Sequence, residues 1–178
     1  TTKAEYEASL AAWKALPAEQ KEKTQPPMPN YIQSAAVVMD NATGALLAVV
    51  GGRDAEESKL NRAIQSRRQT GSLFKPFIYA TFFQQGNSTD TRISDDRISY
   101  GEIRGAANWS PRNSDGTYRG MKPASFGLIL SRNTMSVRIG NRAGLSNVIQ
   151  SAQLAGFHGN ISRTPALYLG TWEASPLD

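Results

Sequence analysis

Two short apolar runs predict a β-hairpin near the start of the chain. Residues 34–39 and 45–50 are almost continuously apolar, and a polar turn that contains Gly44 separates them. Glycine readily adopts the positive φ that tight hairpin turns need, so the two runs are expected to pair as antiparallel strands. Because continuous hydrophobicity is typical of strands buried on both faces, we expect helices to cover both sides of this sheet.

Helical spacing predicts several further elements. Residues 2–16 are rich in Ala, Glu and Lys and predict a helix that Pro17 ends. A second predicted helix begins at Ser72 and ends at Gly86, and the turn-rich residues 87–120 are expected to form loops and short strands. Three more helices are predicted over residues 123–130, 134–139 and 145–155.

Composition narrows the possible chemistry. The 178 residues are 39% hydrophobic and 20% charged, which is typical of one globular domain, and neither a membrane-spanning run nor a signal-peptide pattern occurs. With no cysteine and a single histidine, His158, the sequence excludes disulfides and thiolate chemistry, and we expect no metal or other cofactor. The net charge of +5 indicates anionic surroundings, but the basic residues are scattered, so no nucleic-acid partner is expected.

Ser72 and Lys75 are spaced for nucleophilic catalysis. They lie three residues apart, and Pro76, which is tolerated only in the first turn of a helix, places them at a helix start. Residues at positions i and i+3 share a helix face, so the hydroxyl and the amine would point into the same space. A serine needs a neighbouring base to become a nucleophile, and a lysine can act as that base once its pKa falls below its usual value. Alternatively, Ser72 only caps the helix and Lys75 is a solvated surface residue.

A second pair, Ser131 and Asn133, lies between the predicted helices of residues 123–130 and 134–139. The two residues are separated by one position on the predicted interhelical turn, so both side chains could face one site. A hydroxyl there can relay a proton to a leaving amine, and an amide can bind substrate or hold a lysine in place. The alternative is that Asn133 simply caps the helix that starts at Thr134.

The order of these motifs, and the sequence around them, resembles the transpeptidase domain of class A penicillin-binding proteins. The first motif reads Gly-Ser-Leu-Phe-Lys-Pro-Phe from position 71, and the second reads Ser-Arg-Asn-Thr from position 131. The form of the first motif is specific to this class within the serine β-lactamase-like proteins. The segments that carry the resemblance are residues 35–52, 61–63, 68–80, 109–113, 121–137 and 169–177.

The resemblance implies a fold and a domain organisation. The implied fold is α+β, a mainly antiparallel sheet flanked by helices, with an additional helical lobe. Residues 1–30 are expected to be a linker or appendage, and residues 31–178 are expected to be the N-terminal part of the transpeptidase domain.

The resemblance also implies an activity. The expected reaction is D,D-transpeptidation of peptidoglycan stem peptides that end in D-Ala-D-Ala, through an acyl-serine intermediate that β-lactam antibiotics also form. Ser72 would be the nucleophile and Lys75 its base, while Ser131 and Asn133 would move protons and position substrate. Gly71, Trp109 and Asn113 are expected to bind substrate. The parent protein would be anchored in the cytoplasmic membrane with this domain on its extracytoplasmic face, in the periplasm or at the cell exterior.

One expected motif is missing. The family requires Lys-Thr-Gly, or a close variant, on the strand that completes the oxyanion hole, and this sequence does not occur among the 178 residues. We therefore expect a complementary C-terminal polypeptide of the same protein to supply the motif. Without that polypeptide, residues 35–50 would lack strand partners and would leave apolar surface open.

Two other functions remain open on the sequence alone. A serine β-lactamase shares the first two motifs but needs a carboxylate that activates water, for which Glu173 is the nearby candidate after Ser131. A penicillin-recognising sensor or scaffold could keep the fold without catalysis. The rate at which a bound penicillin is released would separate the first alternative, and the presence of all four catalytic candidates argues against the second.

Overall fold

The computed structural model describes residues 1–159 and 161–178, which form two compact units. The first unit comprises Thr1–Ser66 and Ser175–Leu177, and the second comprises Arg67–Ala174 and Asp178. The helices are α1 (Lys3–Lys14), α2 (Ala18–Lys23), α3 (Arg62–Gln65), α4 (Lys75–Gln84), α5 (Ala124–Ile129), α6 (Asn133–Ala143) and α7 (Leu145–Leu154), with 3₁₀ helices at Gly71–Phe74 and Pro165–Leu169. The strands are β1 (Ala36–Met39), β2 (Leu46–Val50), β3 (Arg68–Gln69), β4 (Arg92–Ser94), β5 (Met121–Pro123) and β6 (Glu173–Ala174).

The first unit begins with the predicted N-terminal helix. A capping box starts α1: the Glu5 amide donates to the Thr2 hydroxyl, and the Glu5 carboxylate accepts from the Thr2 amide. The helix is tied to its own unit by Tyr6, which is buried and packs against Tyr31 with ring centroids 5.6 Å apart. The predicted helix of residues 2–16 is therefore confirmed, whereas the predicted domain boundary at residue 30 remains a prediction.

The predicted hairpin is also confirmed. Strands β1 and β2 pair antiparallel, with Val37 opposite Val49, and Gly44 in the turn has a φ of 73°. The expectation that both faces of these strands are covered is wrong for this chain, because all five residues of β2 are exposed and Leu47 is 67% exposed. An apolar run shows that a strand favours burial but does not identify the segment that buries it.

Helix α4 lies at the centre of the second unit. It packs against α6 and α7, and its Phe82 and Ile78 belong to the same buried core as Ile139 and Val148 of those helices. Two small antiparallel sheets, β3–β6 and β4–β5, lie at the edges of this helical core. The α+β fold class with antiparallel sheets and a helical lobe is thus confirmed.

The helix boundaries differ from the predictions at the two motifs. The α-helix begins at Lys75, not at Ser72, because residues Gly71–Phe74 form a tighter 3₁₀ turn in which the Lys75 amide donates to the Ser72 carbonyl. Likewise α6 begins at Asn133, so Asn133 is its first residue and Arg132 occupies the N-cap position. The predicted end at Gly86 is confirmed by its φ of 87° and its bond to the Phe83 carbonyl.

A helix that spans a bilayer needs about 20 mostly apolar residues. Throughout residues 1–159 and 161–178, every helix is too short or too polar to span a bilayer.

Candidate active site

The turn that carries Ser72 is clamped by a distant backbone segment. The Thr70 amide donates to the Trp172 carbonyl and the Gly71 amide donates to the Gly170 carbonyl, each at 2.9 Å. The approach is so close that a Cβ on Gly170 would lie 1.9 Å from the Gly71 carbonyl oxygen, and both glycines have positive φ. The strand pair β3–β6 continues this contact, so the Ser72 turn is held by tertiary packing as well as by its own helix.

Aromatic packing in the core also holds the turn that carries Ser72. Phe74 is fully buried, and its ring packs against Phe77 and Phe157, whose ring in turn lies 4.5 Å from that of Trp172. Ser72, two positions before the buried Phe74, is exposed at the surface of the second unit. The turn therefore presents an accessible hydroxyl on a rigid support.

The Lys75 amine is surrounded by the second motif. Lys75 is only 2% exposed, and its Nζ lies 2.7 Å from the Ser131 carbonyl oxygen, 3.0 Å from Ser131 Oγ and 2.7 Å from Asn133 Oδ1. These partners lie 56 and 58 residues further along the chain. The fold thus brings Lys75, Ser131 and Asn133 together, which excludes the alternative that Lys75 is solvated.

The environment of Lys75 favours the neutral amine. Burial, and secondly the charge of the nearby Arg132 guanidinium, together lower the pKa of Lys75 to about 8. A neutral lysine has a lone pair that can accept a proton, so at a pH near 8 a substantial fraction of Lys75 is chemically competent as a base.

The Ser131 turn has an unusual backbone conformation. Ser131 is the one non-glycine residue with positive φ, at 53°, within the part of the chain that the structure describes. Its carbonyl and hydroxyl both contact Lys75, while Asn133 donates from Nδ2 to the Arg112 carbonyl at 2.9 Å. Asn133 does not cap its own helix; its amide bridges Lys75 to the 112 loop. Sparsely populated backbone conformations of this kind concentrate at functional sites.

The three predicted substrate-binding residues occupy different environments. Gly71 lies directly beside Ser72 in the turn. Trp109 packs partly buried against the core, and Asn113 is 4% exposed, with its amide bonded to Asp95 and to the Thr117 carbonyl. A substrate contact by any of the three remains a prediction.

Sequence reasoning missed a buried ion pair next to the site. Arg132, which separates Ser131 from Asn133, bonds to Asp95, a residue of the irregular stretch before β5. Arg132 could have been identified from its position inside the second motif, whereas no spacing pattern in the sequence identifies Asp95. Within residues 1–159 and 161–178, no three His, Cys, Asp or Glu side chains converge as metal ligands would.

Comparison with known proteins gives consistent matches. Residues 34–164 match the penicillin binding protein transpeptidase domain. Penicillin-binding protein 1A of Neisseria meningitidis serogroup B is 37% identical over 148 residues, which cover 82% of this chain and 18% of that protein. Penicillin-binding protein 1B of Haemophilus influenzae is 34% identical over 151 residues, which cover 83% of this chain and 19% of that protein. The chain therefore spans about a fifth of the length of these curated relatives.

Solved structures give the same result. The crystal structure of penicillin-binding protein 1A from Haemophilus influenzae aligns with a TM-score of 0.76 at 37% identity, covering 82% of this chain and 22% of that one. The PonA1 protein from Mycobacterium tuberculosis, solved in complex with penicillin V, aligns with a TM-score of 0.69 at 22% identity, covering 97% of this chain and 45% of that one. The second alignment supports the fold alone.

Proposed function

This chain belongs to the family of penicillin-binding protein transpeptidase domains, and from that premise we propose that it contributes the acylation site of a peptidoglycan D,D-transpeptidase. The observation that carries the proposal is the buried Lys75 amine, held by Ser131 and Asn133 one helical turn from the exposed Ser72. A lysine of lowered pKa three residues after an accessible serine is an arrangement suited to nucleophilic acyl transfer.

Acylation proceeds by nucleophilic attack of Ser72. Neutral Lys75 takes the proton of the Ser72 hydroxyl as Oγ bonds to the carbonyl carbon of the penultimate D-alanine. The backbone N–H of Ser72 donates to the oxyanion that forms, as one half of an oxyanion hole. The carbon–nitrogen bond then breaks as the Ser131 hydroxyl passes its proton to the leaving amine and takes up the proton held by Lys75. D-alanine departs, an ester on Ser72 remains, and Lys75 is neutral again.

Deacylation completes the cross-link. An amine from a neighbouring stem peptide attacks the ester carbonyl and gives up a proton through the Ser131 hydroxyl to Lys75. The bond to Ser72 Oγ then breaks, and Lys75 returns that proton to Ser72. If water attacks in place of the amine, the same site acts as a D-Ala-D-Ala carboxypeptidase. A β-lactam carries the equivalent amide in a strained ring, and its opening leaves the drug attached to Ser72.

The remaining residues of the site would bind substrate. Asn133 has its Oδ1 engaged by Lys75 and its Nδ2 by the Arg112 carbonyl, so it orients the base and forms one wall of the substrate site. We assign substrate contacts to Gly71, Trp109 and Asn113 on the resemblance alone.

Partners and location follow from the family. We propose that a complementary polypeptide of the same protein supplies the Lys-Thr-Gly strand, because that sequence is missing from these 178 residues. The parent protein would be anchored in the cytoplasmic membrane, with the catalytic site on the extracytoplasmic side where peptidoglycan is assembled.

Denaturing intact-mass measurement with benzylpenicillin tests the proposal. The full chain should gain the mass of one intact penicillin, Ser72→Ala should gain none, and the matched variant Ser114→Ala, which changes an exposed serine of the same unit, should react as the parent chain does. The measurement is repeated in the presence of a polypeptide that carries the Lys-Thr-Gly segment. No adduct under either condition would overturn the proposal, and an adduct that disappears within minutes would favour a β-lactamase.

A further inference from the structure

The turn at residues 131–133 has two chemically different sides. Ser131 and Asn133 contact the Lys75 amine on one side. Arg132, between them, extends to the other side, where its side chain is 7% exposed. The backbone of this turn therefore joins the contacts of Lys75 to those of Arg132.

Arg132 is held by three separate acceptors. Its Nε and Nη2 lie 3.0 Å and 2.9 Å from Asp95 Oδ2, and its Nη1 lies 2.8 Å from Asp115 Oδ2. Nη2 also donates to the Thr117 carbonyl at 2.5 Å. A guanidinium bound at several of its donors has little freedom to rotate, so the backbone that bears it is restrained as well.

Asp95 is the buried partner in this arrangement. Its side chain is fully buried, and it also accepts from Thr134 Oγ1 at 2.7 Å, from Asn113 Nδ2 at 2.9 Å and from the Arg119 amide at 3.1 Å. Burial opposes ionisation of Asp95, but the hydrogen bonds from Arg132, Thr134 and Asn113 outweigh it and hold the pKa of Asp95 below its usual value. The site thus contains an ionised carboxylate that all its neighbours stabilise.

We propose that Asp95 and Arg132 are positioning residues of the acylation site, whose ion pair holds the 131–133 turn so that Ser131 and Asn133 fix the Lys75 amine beside Ser72. The inference rests on the proposed function for its catalytic meaning. Neither residue touches the reacting atoms; both act through the 131–133 turn, and Arg132 acts also through its charge.

Two physical effects connect the ion pair to Lys75. The positive φ of Ser131 belongs to the turn that ends α5, where the Ser131 amide donates to the Leu128 carbonyl and the Arg132 amide to the Gly127 carbonyl, and the Arg132 side-chain contacts hold the next residue of that turn in place. In addition, the Arg132 charge disfavours a second positive charge on the Lys75 amine. Removal of Asp95 would leave a buried guanidinium without its main counter-ion, and the turn would have to rearrange to hydrate it.

The Lys75 side chain itself provides the measurement. In a chain labelled with ¹³C at lysine Cε, NMR follows each lysine through a pH titration, and the missing signal of Lys75→Arg assigns Lys75. In the parent chain this signal should titrate near pH 8, well below the roughly 10.4 of solvated lysines.

Two variants address the two members of the pair. Arg132→Gln removes the neighbouring charge and the clamp together, so the Lys75 midpoint should rise by about one pH unit or more. Asp95→Asn keeps both positive charges but loosens the turn, so the Lys75 signal of the folded protein should move toward the solvated lysines or broaden. If neither variant folds, Arg132→Lys decides instead, since it keeps the charge but not the planar fork: a displaced Lys75 signal supports the proposal and an unchanged one overturns it.

A matched control separates positioning from general stability. Glu102→Gln breaks the ion pair between Glu102 and Arg138, which lies on α6 and bonds to none of Lys75, Ser131 and Asn133, and should lower the melting temperature without moving the Lys75 signal. If folded Asp95→Asn and Arg132→Gln also leave the Lys75 signal and midpoint unchanged, the positioning role is wrong.

Penicillin acylation completes the experiment and separates the two proposals. Where the parent chain reacts, the folded Asp95→Asn and Arg132→Gln variants should react about 10- to 100-fold more slowly, because small displacements of a base cost rates of this order. Glu102→Gln should react at the parent rate. A parent chain that is never acylated would count against the proposed function, whereas the NMR comparison would still decide the positioning role.

Discussion

At the scale of single residues, the chemistry of this site depends on a lysine whose pKa lies well below the usual value. Lys75 is 2% exposed and has three oxygen acceptors within 3.0 Å of its amine. The pKa of Lys75 is lowered to about 8 by burial first and by the Arg132 charge second. The same group would be an inactive ammonium ion on the surface of the protein at neutral pH.

We predict that acylation by benzylpenicillin becomes faster as the pH rises through about 8. Below this midpoint Lys75 is protonated and cannot accept the serine proton, whereas above it the neutral amine predominates. The rate should therefore increase about tenfold per pH unit well below the midpoint and level off above it. Stopped samples analysed by intact mass between pH 6 and 9.5 give the rates, and a rate that is constant across this range would contradict the role of Lys75 as the base.

At the scale of elements, α6 connects the site to the core. It carries Asn133 at its first position, and its later residue Gly140 lies against Tyr168 of the 3₁₀ helix Pro165–Leu169. A Cβ on Gly140 would lie 2.4 Å from the Tyr168 ring, a separation that real side chains do not reach. The glycine is therefore required by packing, although a glycine normally weakens a helix.

We predict that Gly140→Ala destabilises the protein by about 2 kcal/mol or more, since overpacking in a core typically costs 1–3 kcal/mol. At an exposed helical position the same change would stabilise by up to about 1 kcal/mol. Urea unfolding compares this variant with Gln153→Ala, an exposed position on α7, which should change the free energy of unfolding by less than about 0.5 kcal/mol. A stabilised Gly140→Ala variant would show that the Tyr168 ring moves freely.

The elements also show what local reasoning can reach. Helices α1, α4 and α7 and the β1–β2 hairpin were predicted from spacing and turn residues within a few positions of each boundary. The predicted start of α4 was wrong by three residues, because Gly71–Phe74 adopts a 3₁₀ turn. That turn is held by Gly170 and Trp172, about a hundred residues away in the sequence. Local patterns contain no information about such a partner.

At the scale of the whole molecule, the first unit leaves an apolar hairpin uncovered. The exposed side chains on β1 and β2 are Val38 (49%), Met39 (46%), Leu46 (48%), Leu47 (67%), Val49 (39%) and Val50 (51%). The sequence-based expectation that apolar surface would remain open here is confirmed. Contiguous apolar surface of this kind favours association with another surface.

We predict that the full chain binds 8-anilinonaphthalene-1-sulfonate and self-associates as its concentration rises, and that Leu47→Thr combined with Val50→Thr reduces both effects. Threonine keeps a high strand propensity, so the hairpin should remain and the melting temperature should fall little. Dye fluorescence and sedimentation velocity measure the two effects. The control is Leu154→Thr, which changes an 82% exposed leucine at the end of α7 and should alter neither; a monomeric parent chain that does not bind the dye would contradict the prediction.

The sequence by itself determined the candidate chemistry and most of the local structure. Ser72 and Lys75 are three residues apart, and Ser131 and Asn133 two apart, so their pairing depends on backbone geometry that acts over less than one helical turn. The family also follows from the amino-acid sequence of these motifs. These features are encoded by residues that are adjacent in the sequence, which is why they could be identified without coordinates.

Tertiary structure alone decided how the two pairs work together. Lys75 meets Ser131 and Asn133 across 56 and 58 residues, and only this meeting buries the amine and lowers its pKa. Asp95, 37 residues from Arg132, has no motif of its own, because a buried ion pair is defined by proximity in space and not by spacing in sequence. Burial and pairing are properties of segments that meet only after folding, whereas propensity and motif spacing are already present in the unfolded chain.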